Sequence, residues 1–182
     1  DRVSLGAARI EFSGYNQVFQ ELISPGSLLG SRTLGANFLL VRLEDWARAQ
    51  SRELRVETVA SASREFVSAL SAFCKRASRP TVLVLCPPSQ TAAADARFRS
   101  ALERLQQELV SAIAGLQGLS LVTSDEVAAL YPVEAIEDPD SDREGHIPFT
   151  PAYWAALGTT LIRKMRPLFQ PPYKVVVVDA DN

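Results

Sequence analysis

Residues 81–86 read Thr81-Val82-Leu83-Val84-Leu85-Cys86, and Pro87-Pro88 follow at once. Six residues without a charge, rich in β-branched and aliphatic side chains and stopped by two prolines, predict a strand buried on both faces. Such a strand belongs inside a parallel sheet with helices above and below it, so strands and helices should alternate around it. Upstream, 56–76 carries Val59, Phe66, Val67, Leu70 and Phe73 at helical spacing. Downstream, 93–116 carries Phe98, Leu102, Leu105, Leu109 and Ile113, and Gly118 follows it. Beyond these helices lie two further strands: 38–43, apolar apart from Arg42, and 119–123, with Ser124 set to cap a short helix over 125–130. Near the N-terminus, 9–12 reads as a short first strand closed by Ser13 and Gly14. A helix over 15–23 would then put Tyr15, Val18, Phe19 and Leu22 on one face. Toward the other end, 134–145 is an exposed polar loop with five acidic residues between Glu134 and Asp142. Thr150 and Pro151 then open a helix to about residue 166, as N-cap and first helical residue. The expected architecture is α/β: a three-layer αβα domain with a Rossmann- or flavodoxin-like parallel sheet over 1–166. A proline-rich linker (Pro167, Pro171, Pro172) over 167–173 and one more strand opening 174–182 complete the chain.

Composition narrows the function. The chain has 182 residues, 47% of them hydrophobic, and a formal net charge of −2, with no basic patch. A nucleic-acid binder would need clustered Lys and Arg to displace counterions, so none is expected as a partner. The longest apolar runs, such as Val175-Val176-Val177-Val178, fall far short of the roughly 20 residues that span a bilayer. The first residues, Asp1-Arg2-Val3-Ser4, have no signal-peptide core, and no membrane partner is expected. Two cysteines, Cys74 and Cys86, have neither metal-ligand spacing nor the look of a disulfide scaffold, and a cytoplasmic location is the default.

In parallel α/β sheets chemistry gathers beyond the carboxyl ends of the strands, which points to Ser13, Glu44, Asp45, Cys86, Ser124 and Asp179. The sharpest pattern is Val178-Asp179-Ala180-Asp181-Asn182. A buried strand delivering two aspartates one residue apart can supply a nucleophile and an acid for a leaving group. A helix cap or an exposed turn is the bland alternative. Cys86 invites a thiol-carrier reading, although no neighbouring base is visible and a small core residue is the simpler expectation. Trp46 and Trp154 read as packing anchors. Arg163, Lys164 and Arg166 suit the C-terminal dipole of the last helix, with an acidic partner as the other use.

Several stretches resemble one family. Tyr15-Asn16-Gln17-Val18-Phe19-Gln20 with Ile23-Ser24-Pro25 and Ser27-Leu28-Leu29 is similar to the FkbH-like proteins of polyketide and nonribosomal-peptide assembly lines. So are Leu40-Val41-Arg42-Leu43-Glu44-Asp45-Trp46 and Ile147-Pro148-Phe149-Thr150-Pro151-Ala152-Tyr153-Trp154, then Ala156-Leu157-Gly158-Thr159 and residues 174–182. The stretches run in order over nearly the whole chain.

The resemblance implies a parent enzyme with a haloacid-dehalogenase-like (HAD) domain in cis. That domain takes a glyceryl unit from bisphosphoglycerate, removes phosphate and loads an acyl carrier protein. It implies Asp179 as phosphoryl-accepting nucleophile, Asp181 as acid/base, and Mg2+ held by Asp179 and Asp181 in the complete parent. It further implies that this chain is the lead-in domain, ending before the threonine and the later HAD motifs, and that by itself it has no phosphatase activity. The family's earlier strand–helix unit, with its Ser/Thr-Phe-Thr run, has no counterpart here.

The lead-in domain is similar to the SGNH-hydrolase fold, so a Ser-His-Asp esterase is the rival enzyme. His146 is the only histidine, and Asp142 precedes it in the late loop. Ser13 would be the nucleophile but lacks a Gly-Asp-Ser setting. Arg42, Glu44 and Asp45 stand where an oxyanion-binding Asn is usual, and a carboxylate pair there repels an oxyanion. A third reading is an interaction module of an assembly-line synthase without glyceryl chemistry.

Overall fold

A computed structural model describes residues 9–14, 16–31 and 35–169, without the side chains of 168 and 169. Three parallel strands form one sheet in the order β1 (Asn37–Val41), β2 (Thr81–Leu85), β3 (Leu119–Thr123). The register is continuous, with Leu39 opposite Leu83 and Leu83 opposite Leu121. Both faces of the sheet are covered, so the domain is a three-layer αβα sandwich, Rossmann- or flavodoxin-like in its architecture.

Alternation along the strands sorts the core into two halves. Leu39, Val41, Leu83 and Leu85 face α1 (Val18–Ile23), α2 (Arg55–Arg76) and α4 (Ala96–Ile113). Leu22, Val59, Phe66, Leu70, Phe73, Leu102, Leu105 and Leu109 fill that side. Val82, Val84, Cys86 and Val122 face the opposite way, against Val127 of α5 (Ser124–Leu130) and Tyr153, Ala156 and Leu157 of α7 (Pro151–Phe169). All five residues of β2 are buried, as their uninterrupted apolar run requires.

Most elements lie where the pattern puts them, and the departures have local causes. The strand expected over 9–12 is not formed: the stretch is irregular, with Ile10 74% and Phe12 88% exposed. A four-residue strand gains stability only from a paired neighbour, and alternation alone does not supply one. Of the helix expected over 15–23, Val18–Ile23 is helical, and residue 15 lies outside the described part. The helix expected over 93–116 is two helices, because Asp95 ends α3 (Gln90–Ala94) and caps α4 by accepting the Phe98 N–H at 3.2 Å. It stops at Ile113, and Gly115 and Gly118 take positive φ beyond it. Thr123, not Ser124, caps α5, its hydroxyl accepting from the Glu126 N–H at 3.3 Å. Within the expected acidic loop, residues 139–145 form α6 (Pro139–Gly145). Thr150 caps α7 as expected, but the helix continues through Pro167 to Phe169. Residues 170–182, with the expected strand over 174–178 and both Asp179 and Asp181, lie outside the described part.

Candidate functional site

Beyond the carboxyl ends of β1 and β2, four charged side chains and a histidine converge from segments about a hundred residues apart. β1 ends at Val41, and a 3-10 turn, Leu43–Ala47, follows. Leu43 and Ala47 anchor that turn by burial, which leaves Glu44, Asp45 and Arg48 at the rim while Arg42 stays buried. The other side of the rim is α6. Asp138 starts that helix by accepting the Ser141 N–H at 3.0 Å and the Ser141 hydroxyl at 2.8 Å, with Pro139 first in the helix. His146 ends it in the left-handed region, at φ 55°, which costs a non-glycine residue some strain.

Arg42 is the centre. Its side chain is only 5% exposed, yet it donates from Nε and Nη2 to Asp45 at 2.9–3.1 Å and from Nη2 to Asp142 at 3.1 Å. Arg48 repeats the pattern nearer solvent, reaching Asp45 at 2.9 Å and Asp142 at 3.0 Å through Nη2. Burial would lower the Arg42 pKa, but the hydrogen bond and charge of Asp45, then Asp142 and Glu44, reverse that and hold the guanidinium charged. Burial likewise pushes Asp142 up, and the bonds and charges of Arg48 and Arg42 outweigh it, leaving the carboxyl below the usual range. Around this core, Glu44 accepts the Ser89 N–H at 3.0 Å and Glu137 accepts the Gln90 N–H at 2.6 Å. Burial, and the charges of Glu44 and Asp142, raise Glu137 in spite of that bond.

His146 and Asp142 are thus neighbours, but not in the arrangement of a hydrolase triad. There the carboxylate accepts from Nδ1–H of the imidazole. Here Nδ1 lies 2.8 Å from Arg48 Nη1, an atom that can only donate, and both Asp142 oxygens accept from arginine. Ser13 sits in exposed irregular chain with its hydroxyl 3.5 Å from the Gly14 carbonyl, not at a strand end. Ser124 is the first residue of α5. Cys86 lies at the edge of the same cluster but is 8% exposed, and burial pushes its thiol up to about 12, so little thiolate exists near neutrality.

The remaining candidates are mostly engaged within the fold. Trp46 packs between Phe19 and Phe66, at ring-centroid distances of 5.8 and 5.3 Å, and Trp154 packs on Phe149 at 5.2 Å. Arg163 donates to the Tyr131 hydroxyl at 2.7 Å and Lys164 pairs with Glu126 at 2.9 Å, so both tie α7 to the α5 side. Among the described residues, no group of three or more His, Cys, Asp and Glu could hold a metal ion, and no helix is long and apolar enough to cross a membrane. The residues that sequence reasoning missed are Arg48 and Glu137. Arg42 is legible as the charge that interrupts an apolar run, and a buried charge in such a run needs a partner. No protein-family model, curated protein or solved structure matches the chain.

Proposed function

We propose that this chain is the non-catalytic α/β lead-in domain of an FkbH-like enzyme. The parent would dephosphorylate bisphosphoglycerate and load glyceryl onto an acyl carrier protein for polyketide or nonribosomal-peptide biosynthesis. The observation that carries the reading is that Arg42 and Asp45, in one stretch on which the resemblance rests, are tied through Asp142 to α6, the helix just ahead of another such stretch. The Leu40-to-Trp46 stretch supplies Arg42 and Asp45. The stretch from Ile147 to Trp154 follows His146 directly, puts Phe149 and Tyr153 against the sheet and caps α7 through Thr150. Asp142, on α6 between them in the chain, accepts from Arg42 at 3.1 Å. The framework these stretches build is closed on itself. Arginine and aspartate satisfy each other, the adjacent thiol is protonated, and the one histidine faces a guanidinium, which suits a supporting role better than hydrolysis.

In this reading the reactive groups belong to residues 174–182. Asp179 would attack phosphorus as the ester P–O bond breaks, Asp181 would protonate the leaving oxygen and then take a proton from the water that frees phosphate from Asp179, and the two carboxylates would offer the hard oxygen ligands that magnesium takes. Magnesium, when bound, would neutralise charge on the phosphoryl oxygens. The test uses the protein extended through the HAD half, incubated with magnesium, bisphosphoglycerate and phosphopantetheinylated carrier protein. The carrier is followed by intact mass beside an Asp179→Asn control. A glyceryl mass gain that vanishes in the control supports the proposal. A folded enzyme that gives no gain sinks it and favours an assembly-line interaction module.

A further inference from the structure

α6 contains no buried residue, yet it is held across the carboxyl ends of β1 and β2. Its side-chain ties to the rest of the domain are polar. Asp142 reaches Arg42 and Arg48, His146 reaches Arg48, and Glu137, just ahead of the helix, binds the Gln90 N–H. The segment is also closed on itself at its base. Glu137 and Phe149 form an antiparallel bridge, the Asp138 N–H donates to the Pro148 carbonyl at 3.0 Å, and the Thr150 N–H donates to Ile136 at 2.9 Å. Phe149, 3% exposed, anchors that base in the core, whereas Ile147 is 53% exposed. A loop with a fixed base, an apolar anchor outside its tip and polar side-chain ties at its tip can open as a unit without disturbing the sheet.

We infer that residues 138–147 form a polar-latched lid over the carboxyl ends of β1 and β2, with Asp142 on Arg42 and Arg48 as the latch. Opening removes Asp142 from both guanidinium groups, which stay bound to Asp45, and frees the Nη2 donors that Asp142 occupied beside the crevice where α/β sheets of this kind hold ligands. This inference does not depend on the glyceryl reading.

Hydrogen exchange read by mass spectrometry on the whole chain tests it. In the wild type, peptides over 138–147 should exchange through an opening separate from, and faster than, that of β2 and α4, while still showing measurable protection. Asp142→Asn should speed exchange over 138–147 by about tenfold or more, the effect of losing charge-assisted hydrogen bonds, and speed β2 and α4 by no more than that, so that 138–147 still exchanges well ahead of them. If Asp142→Asn fails to fold, Arg48→Met removes the outer half of the latch and should act in the same direction. The inference is overturned if 138–147 exchanges only with global unfolding, if it is unprotected in the wild type, or if the substitution leaves it unchanged.

Discussion

Replacing Arg42 with Met tests whether the cluster at the strand ends is a structural device. Methionine keeps most of the side-chain bulk in a site where Arg42 is 5% exposed, so the change isolates charge and hydrogen bonding. Breaking a fully buried ion pair by removing one partner costs about 3–5 kcal/mol, because the other charge is left unpaired in a poor solvent. The partners here are less isolated. Asp45 is 32% and Asp142 21% exposed, and both keep Arg48 at 2.9 and 3.0 Å. A loss of about 2 kcal/mol is therefore expected. With a urea slope of about 2 kcal/mol per molar, the unfolding midpoint should fall by about 1 M with the slope unchanged. The control is Arg104→Ala, which breaks an exposed pair with Glu108 on α4 at 3.0 Å and should cost about 0.3–0.5 kcal/mol. Both are read by circular dichroism in urea at neutral pH. If Arg42→Met shifts the midpoint no further than Arg104→Ala does, the cluster contributes nothing special and the reasoning fails.

Other consequences are quicker to state. Thr150→Ala removes the α7 cap and a 2.7 Å bond to the Ala135 carbonyl, and should cost about 1 kcal/mol in thermal or urea unfolding, with Thr150→Ser recovering most of it. Phe66→Ala, at a fully buried site against Trp46 and Phe19, should cost about 3–5 kcal/mol and alter tryptophan fluorescence; a loss under about 1 kcal/mol would contradict the packing. The pH dependence has a defined sign. Asp142 has a folded pKa below its unfolded value near about 3.9, so its contribution is full above that value and is lost as pH falls through the folded pKa. The stability gap between wild type and Asp142→Asn should therefore close in acid and stay open at neutral pH; a gap that widens in acid would reverse the assignment.

Periodicity made the middle of the fold readable. β2 and β3 end within a residue of the expected positions, because a strand buried on both faces leaves a continuous apolar run that prolines or a cap then terminate. The Thr150-Pro151 start of α7 was equally clear, since cap and first-turn proline are local signals. The first strand was not readable, because Arg9 to Phe12 has the alternation of a strand and no partner to make it one. α6 could have been found: Asp138-Pro139 is the same kind of start signal, but it is hidden in an acidic stretch that reads as loop. The cluster was half visible. Arg42 stood out as a charge in an apolar run, while its partner Asp142 lies a hundred residues away, and no period or spacing links them. Ser13 and His146 looked like halves of a hydrolase site only while the strand before Ser13 was assumed.

The most direct test of the central proposal asks what this domain would do for the proposed parent enzyme. Carrier loading, followed by intact mass, should be compared between the full-length enzyme and the same enzyme lacking residues 1–169, each first shown to be folded. The proposal expects the shortened enzyme to keep release of phosphate from bisphosphoglycerate while transfer of glyceryl to the carrier falls by an order of magnitude or more. Equal loading by both proteins would contradict a supporting role for this domain.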